Sequence, residues 1–236
     1  MNAKRKVRIS SLIRPSLAQG LQRAYRQVRV DPQKYLLHVQ RAHQLPIRTW
    51  REVFLLGPEV MTPIAHSTIR ASMRAAALEG AGFGIGGLAT ILPDLGVLSA
   101  ITIRMLQKLS LLYGFEYSTD EERVDLWMAA ATAAGVDLGR EFLEKQAAEK
   151  LIPRIVDAMA AKVSAEVAEK WAGRVVPLVS AGAGAALNYF FVRSWGRRAL
   201  RHFEARHIAE LRSCALPGET ATGAVSSGGL TPLPVN

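Results

Sequence analysis

The sequence predicts an all-α protein, a multi-helix bundle containing two glycine-rich apolar helical segments. Three observations carry this. Ala-rich stretches with apolar residues at helical spacing dominate the chain. Alternating β-branched runs bounded by turn residues are scarce. Helix start and stop signals recur at intervals that fit packed helices.

In the N-terminal segment Ile9, Leu12, Ile13, Leu17, Leu21, Tyr25 and Val28 share one helical face, and Arg8, Arg14, Arg23, Arg26 and Arg29 lie largely off it. Such a basic amphipathic helix can lie on an anionic bilayer or pack on a core. Pro15 should break it, with Ser16 capping the helix on its C-terminal side. A second helix should start after Asp31-Pro32 and end before Pro46, and another should run from Thr62-Pro63 to Glu79. Leu92-Pro93-Asp94 should precede a long helix to Tyr113, with Gly114 closing it. Ser118-Thr119-Asp120-Glu121 fits a capping box opening a helix over 119–134. Glu141 to Lys150, Pro153 to Trp171 and Ser194 to Ser213 read as further helices, and the tail from Leu216 has little to bury.

Charge is distributed unevenly. The first fifty residues hold eleven Lys and Arg against one acid, Asp31, whereas the other 186 residues hold nineteen of each sign. The whole net charge of +10 therefore sits on the N-terminal segment, which calls for an anionic partner. The lone Cys214 excludes an internal disulfide framework and a cysteine metal site within one chain. No apolar stretch of signal-peptide length comes after the basic start, so a secretory leader is not expected.

The glycine-rich segments run from Gly80 to Ile101 and from Val175 to Val192. Each approaches the length of a bilayer span. In Phe83 to Ile103, ten strongly apolar side chains at about −0.3 to −0.6 kcal/mol each stand against about +3 kcal/mol for Asp94 at mid-span. Pro93 and the glycines remove most of the remaining gain, so insertion is marginal. Gly80/Gly84, Gly82/Gly86 and Gly182/Ala186 have the small-residue spacing that brings helices close, in lipid or in water.

Several short motifs in fixed order resemble the EcsC family of bacteria. They are Gly86-Gly87-Leu88, Pro93-Asp94, Tyr113-Gly114 and Asp120-Glu121-Glu122-Arg123, then Pro177, Gly182-Ala183-Gly184-Ala185, Asn188-Tyr189, Ala199, Phe203 and Arg206. The resemblance covers roughly residues 45 to 210. It implies three parts: a basic arm with an amphipathic helix over 1–45, a helical domain over 46–213 and a disordered tail over 214–236. The family takes its name from a protein encoded beside an ABC transporter. The resemblance implies a transport link, a site in the bacterial cytoplasm and no catalytic residue that could be carried over. It places the family's recurring acid at Asp94 and its small-residue run with an asparagine at Gly182 to Asn188.

Among candidate site residues, Asp94 is either a turn residue or a buried carboxylate with a raised pKa. Asn188 must find partners if buried, and a contact of Asp94 with Asn188 or Arg104 would form a binding site. Arg14, Arg23, Arg26 and Arg29, with Arg193, Arg197 and Arg198, are the candidate contacts to anionic lipid at the inner face of the cytoplasmic membrane. No metal or cofactor is expected. His202 and His207 are five apart and do not share a helix face as metal ligands would. The glycines lack a downstream GK[ST] and a preceding strand. Tyr25 and Tyr35 are too sparse for a nucleic-acid stacking platform. The reading is a non-catalytic, membrane-associated accessory or regulatory factor with a membrane-protein or transporter partner, and self-association is left open. The rival is an enzyme or ligand-binding protein with an apolar pocket centred on Asp94.

Overall fold

The computed structural model describes residues 2–83, 88–137, 148–172 and 181–215, and no strand occurs among them. The protein is all-α. Its helices are α1 (Asn2–Gln27), α2 (Pro32–His43), α3 (Pro58–Phe83), α4 (Leu88–Leu112), α5 (Asp120–Ala134), α6 (Ala148–Ala172) and α7 (Ala181–Ala215), with a 3-10 turn at Trp50–Leu55. The expected glycine-rich positions 84–87, the helix over 141–147, Pro177 and the tail from residue 216 lie outside the described residues.

Local chemistry sets several boundaries. Asp31 caps α2 by accepting the N–H groups of Gln33 and Lys34, both at 3.0 Å, and Pro32 takes the first helical position. Thr119 and Glu122 form a reciprocal capping box that opens α5. Gly114, at φ +86°, ends α4 in a left-handed turn. Phe115 N–H there reaches Ser110 O at 2.9 Å and Gly114 N–H reaches Leu111 O at 2.9 Å. A Cβ at Gly114 would fall 2.5 Å from the Phe54 ring, so glycine is required by space as well as by φ.

Three expectations need correction. Pro15 does not break α1, which continues through it. The proline is exposed, while Ile13 and Leu17 on either side are buried, so tertiary burial outweighs a penalty of about 3 kcal/mol. Pro93-Asp94 does not precede α4 but lies in its early turns. As the sixth residue of α4 Pro93 forfeits one intrahelical bond, and the packing of the rest of α4 sustains the helix. The Gly182-Ala183-Gly184-Ala185 run is the opening of α7, which is one helix of 35 residues and does not begin at Ser194. Packing against α3 supports that length.

The core is organised around α4, which touches α1, α3, α5, α7 and the 3-10 turn. From Thr102 to Tyr113 only Arg104 and Lys108 escape full burial. The α3–α7 and α1–α6 pairs are the most extensive helix contacts, and α5 packs against α6 and α7. At Gly196 a Cβ would come 2.8 Å from Ile69 Cγ2 and 3.1 Å from Met105 Sδ, so α7 meets α3 and α4 there with no room for a side chain. Gln107, buried in α4, accepts Val30 N–H at 3.0 Å and donates to Val28 O at 2.9 Å, which fixes the α1–α2 connection. Gly196→Val should therefore cost about 1–3 kcal/mol through overpacking. Thermal unfolding should show a fall of several degrees, and an unchanged midpoint would contradict the close α7 contact.

Candidate functional site

The structure separates the residues nominated from sequence. The side chain of Asp94 lies outside the described residues, so its pairing with Asn188 or Arg104 does too. Asn188 is buried on α7, and Arg104 is exposed on α4. Arg104 lies near enough to Lys108 that it adds to the burial that depresses the Lys108 pKa.

Arg14, Arg23 and Arg26 of α1 and Arg29 just beyond it lie at the surface. Arg14 binds Asp157 of α6 at 2.6 Å, and Arg23, Arg26 and Arg29 are exposed. The apolar face of the same helix is occupied by protein: Ile13, Leu17, Leu21 and Ala24 are buried in the core, Leu21 with 1% of its surface exposed. A Ser10–Ser164 hydroxyl contact at 3.1 Å fastens α1 to α6 as well.

The α7 arginines gather on one face. Arg193, Ser194, Arg197, Arg198 and Arg201, with Phe190, line a shallow cleft of about 430 Å³. The i, i+3 and i+4 spacing produces this alignment. Arg198 donates to Ser194 Oγ at 2.9 Å and covers Gly135, where a Cβ would fall 2.8 Å from its Nη1. Its charge therefore sits at the C-terminal end of α5, where a cation is favoured. Phe190 stays 59% exposed beside the arginines.

A polar cluster at the end of α4 has no counterpart in the sequence reading. Tyr113 and Thr62 both donate hydroxyl bonds to Glu204 Oε1, at 3.1 Å and 3.2 Å. His207 Nδ1 lies 3.0 Å from Tyr113 O, which places a proton on Nδ1, and its ring stacks on Phe54 at 4.5 Å. Arg206 reaches Asp125 Oδ2 at 2.5 Å and lies 4.2 Å from the centre of the Phe115 ring. Burial raises the Tyr113 pKa above the usual tyrosine range. Its proton is committed to Glu204, so the cluster ties α3, α4, α5 and α7 together and does not present a general base. The partners are 81 to 142 residues apart, a separation that local spacing does not reveal.

Tyr113, Phe203 and Arg206 belong to the motifs that resemble the family, and the fold brings them to this one end of the bundle. The model of the EcsC protein family matches residues 9–208, and the chain belongs to that family. Among curated proteins it is similar to Protein EcsC of Bacillus subtilis (strain 168), 28% identical over 152 residues that cover 62% of this chain. The match spans 64% of that protein's length. No solved structure matches. The family match opens at residue 9, within α1, whereas the motifs that carried the resemblance lay beyond residue 45.

His202, on α7 beside this cluster, has its pKa lowered below 6.5 by burial and then by Arg206, with Asp125 opposing. The unfolded chain therefore binds a proton more readily, and stability present above pH 6.5 should fall as pH drops through that value. His202→Gln should flatten the dependence of unfolding free energy on pH between about 7 and 5. An identical slope in the variant would contradict the assignment. Tyr113→Phe should cost about 1–3 kcal/mol by removing a bond to a charged acceptor, read by denaturant unfolding.

Proposed function

We propose that this protein is a non-catalytic, membrane-associated accessory or regulatory factor that docks on the anionic inner face of the cytoplasmic membrane through α7. The arginine face of α7 with exposed Phe190 carries the reading. Each basic residue near an anionic surface contributes about 1 kcal/mol, so three or four on one face suffice for reversible docking. The antiparallel α3–α7 pairing adds support. Thr62 meets Glu204 and Ile69 meets Gly196, and continuing that register sets Leu78, 77% exposed, near the level of Phe190. Two exposed apolar side chains beside a basic stripe suit the headgroup region. Among the described residues no helix is long and apolar enough to cross a membrane, which fits docking on the surface. The link to a transport system rests on the family resemblance.

The test is flotation of full-length protein with vesicles of phosphatidylglycerol and phosphatidylcholine against phosphatidylcholine alone. The protein should float with the anionic vesicles only, and salt should release it because exposed charges are screened. Combined Arg193→Gln, Arg197→Gln and Arg201→Gln should reduce binding at least tenfold. Combined Arg41→Gln, Arg48→Gln and Arg51→Gln, three exposed sites elsewhere, should change it little. Equal loss in both variants, or retention through salt and alkaline carbonate, would overturn surface docking by α7.

A further inference from the structure

Among the described residues two buried donors lack a partner, Arg198 Nε on α7 and the indole N–H of Trp127 away from it. Trp127 is 1% exposed, and its indole N–H meets no hydrogen-bond acceptor among the described residues. By contrast Trp50, equally buried, gives its N–H to Pro32 O at 3.0 Å. A buried donor without an acceptor costs about 1–3 kcal/mol, so native proteins keep few of them.

Trp127 lines a cleft of about 490 Å³ between α1, α5 and α6. That volume is in the range of small-molecule sites. One wall is aromatic, with Tyr25 edge-on to Trp127 at 5.2 Å between ring centres. The facing wall is aliphatic, from Ile152, Pro153 and Val156 of α6. The polar lining comprises Gln22, Arg26, Asp120 and Arg123. Asp120 pairs with Arg123, so two guanidinium groups stand against one carboxylate and the cleft keeps an excess positive charge.

We infer that the α1–α5–α6 cleft binds a small amphipathic anion of the acyl carboxylate class. The apolar body lies between the aromatic and aliphatic walls, and the carboxylate faces Arg26 and Arg123. A neutral apolar ligand would leave the cationic side unused, and a purely ionic one would leave the walls bare. The site is independent of the α7 face, which lines a separate cleft.

Decanoate in the absence of vesicles is the probe, titrated below its micellar range into full-length protein and monitored by calorimetry and tryptophan fluorescence. One molecule per chain should bind saturably and change the fluorescence, and the fluorescence change should vanish in Trp127→Phe. Methyl decanoate, which lacks the charge, should bind at least tenfold more weakly. Arg26→Gln, at an exposed side chain, should weaken decanoate about tenfold without altering the unfolding midpoint. Ile152→Trp, which fills a partly buried wall position, should abolish binding. Non-saturable uptake, or equal affinity for decanoate and its methyl ester, would overturn the inference. So would unchanged binding in Arg26→Gln. None of these outcomes depends on vesicle flotation.

Discussion

The burial of the second half of α4 on all but the edge carrying Arg104 and Lys108 is the constraint on which the rest of the structure depends. A helix buried around most of its circumference needs neighbours on most of its sides. Here α1, α3, α5, α7 and the 3-10 turn supply them. Its buried polar groups must then be satisfied at close range. Thr102 donates back to Leu98 O at 2.8 Å and Ser110 donates to Phe115 O at 2.8 Å. Gln107 is used to hold the connection between α1 and α2. The helix end is fastened by Gly114 and by the Tyr113–Glu204–Thr62 bonds, so α3 and α7 are held at the point where α4 stops.

That constraint decides what the basic N-terminal segment can do. An amphipathic helix has one apolar face to bury. In α1 the face of Ile13, Leu17, Leu21 and Ala24 is buried on α4 and α6, and Arg23 and Arg26 stay at the surface. The charge of α1 can attract an anionic surface, but Leu17 and Leu21 stay in the core. On α7 the exposed Phe190 stands beside four arginines, and the antiparallel register sets Leu78 of α3 near its level. Electrostatic attraction and shallow apolar contact are thus divided between two helices.

Legibility from sequence tracked the range of the interaction. The Asp31-Pro32 start, a capping box opening α5 (formed by Thr119 and Glu122, one residue beyond the Ser118–Glu121 pattern) and the Gly114 end were readable because each is completed within a few residues. The arginine alignment on α7 was readable because helical periodicity alone produces it. The continuity of α1 through Pro15 was not, since the compensating burial comes from α4 and α6. The tight contact at Gly196 was missed for the same reason: the small-residue pairs singled out lay in the glycine-rich runs, whereas the crowded position is an isolated glycine in a charged stretch. Trp127 was read as core, which is correct for its ring, but the lack of an acceptor for its N–H among the described residues is visible only in three dimensions.

The central claim is that α1 is a core helix whose apolar face stays with the protein when the molecule meets a membrane. Amide hydrogen exchange of the full-length chain, with and without phosphatidylglycerol vesicles, tests it most directly. Amides of residues 13–24 should be protected to the level of 102–112 in α4, and vesicles should leave both unchanged while slowing exchange near residues 190–201 of α7. Fast exchange of residues 13–24 in free protein, with protection gained on vesicles, would mean that α1 leaves the bundle for lipid and would contradict the account.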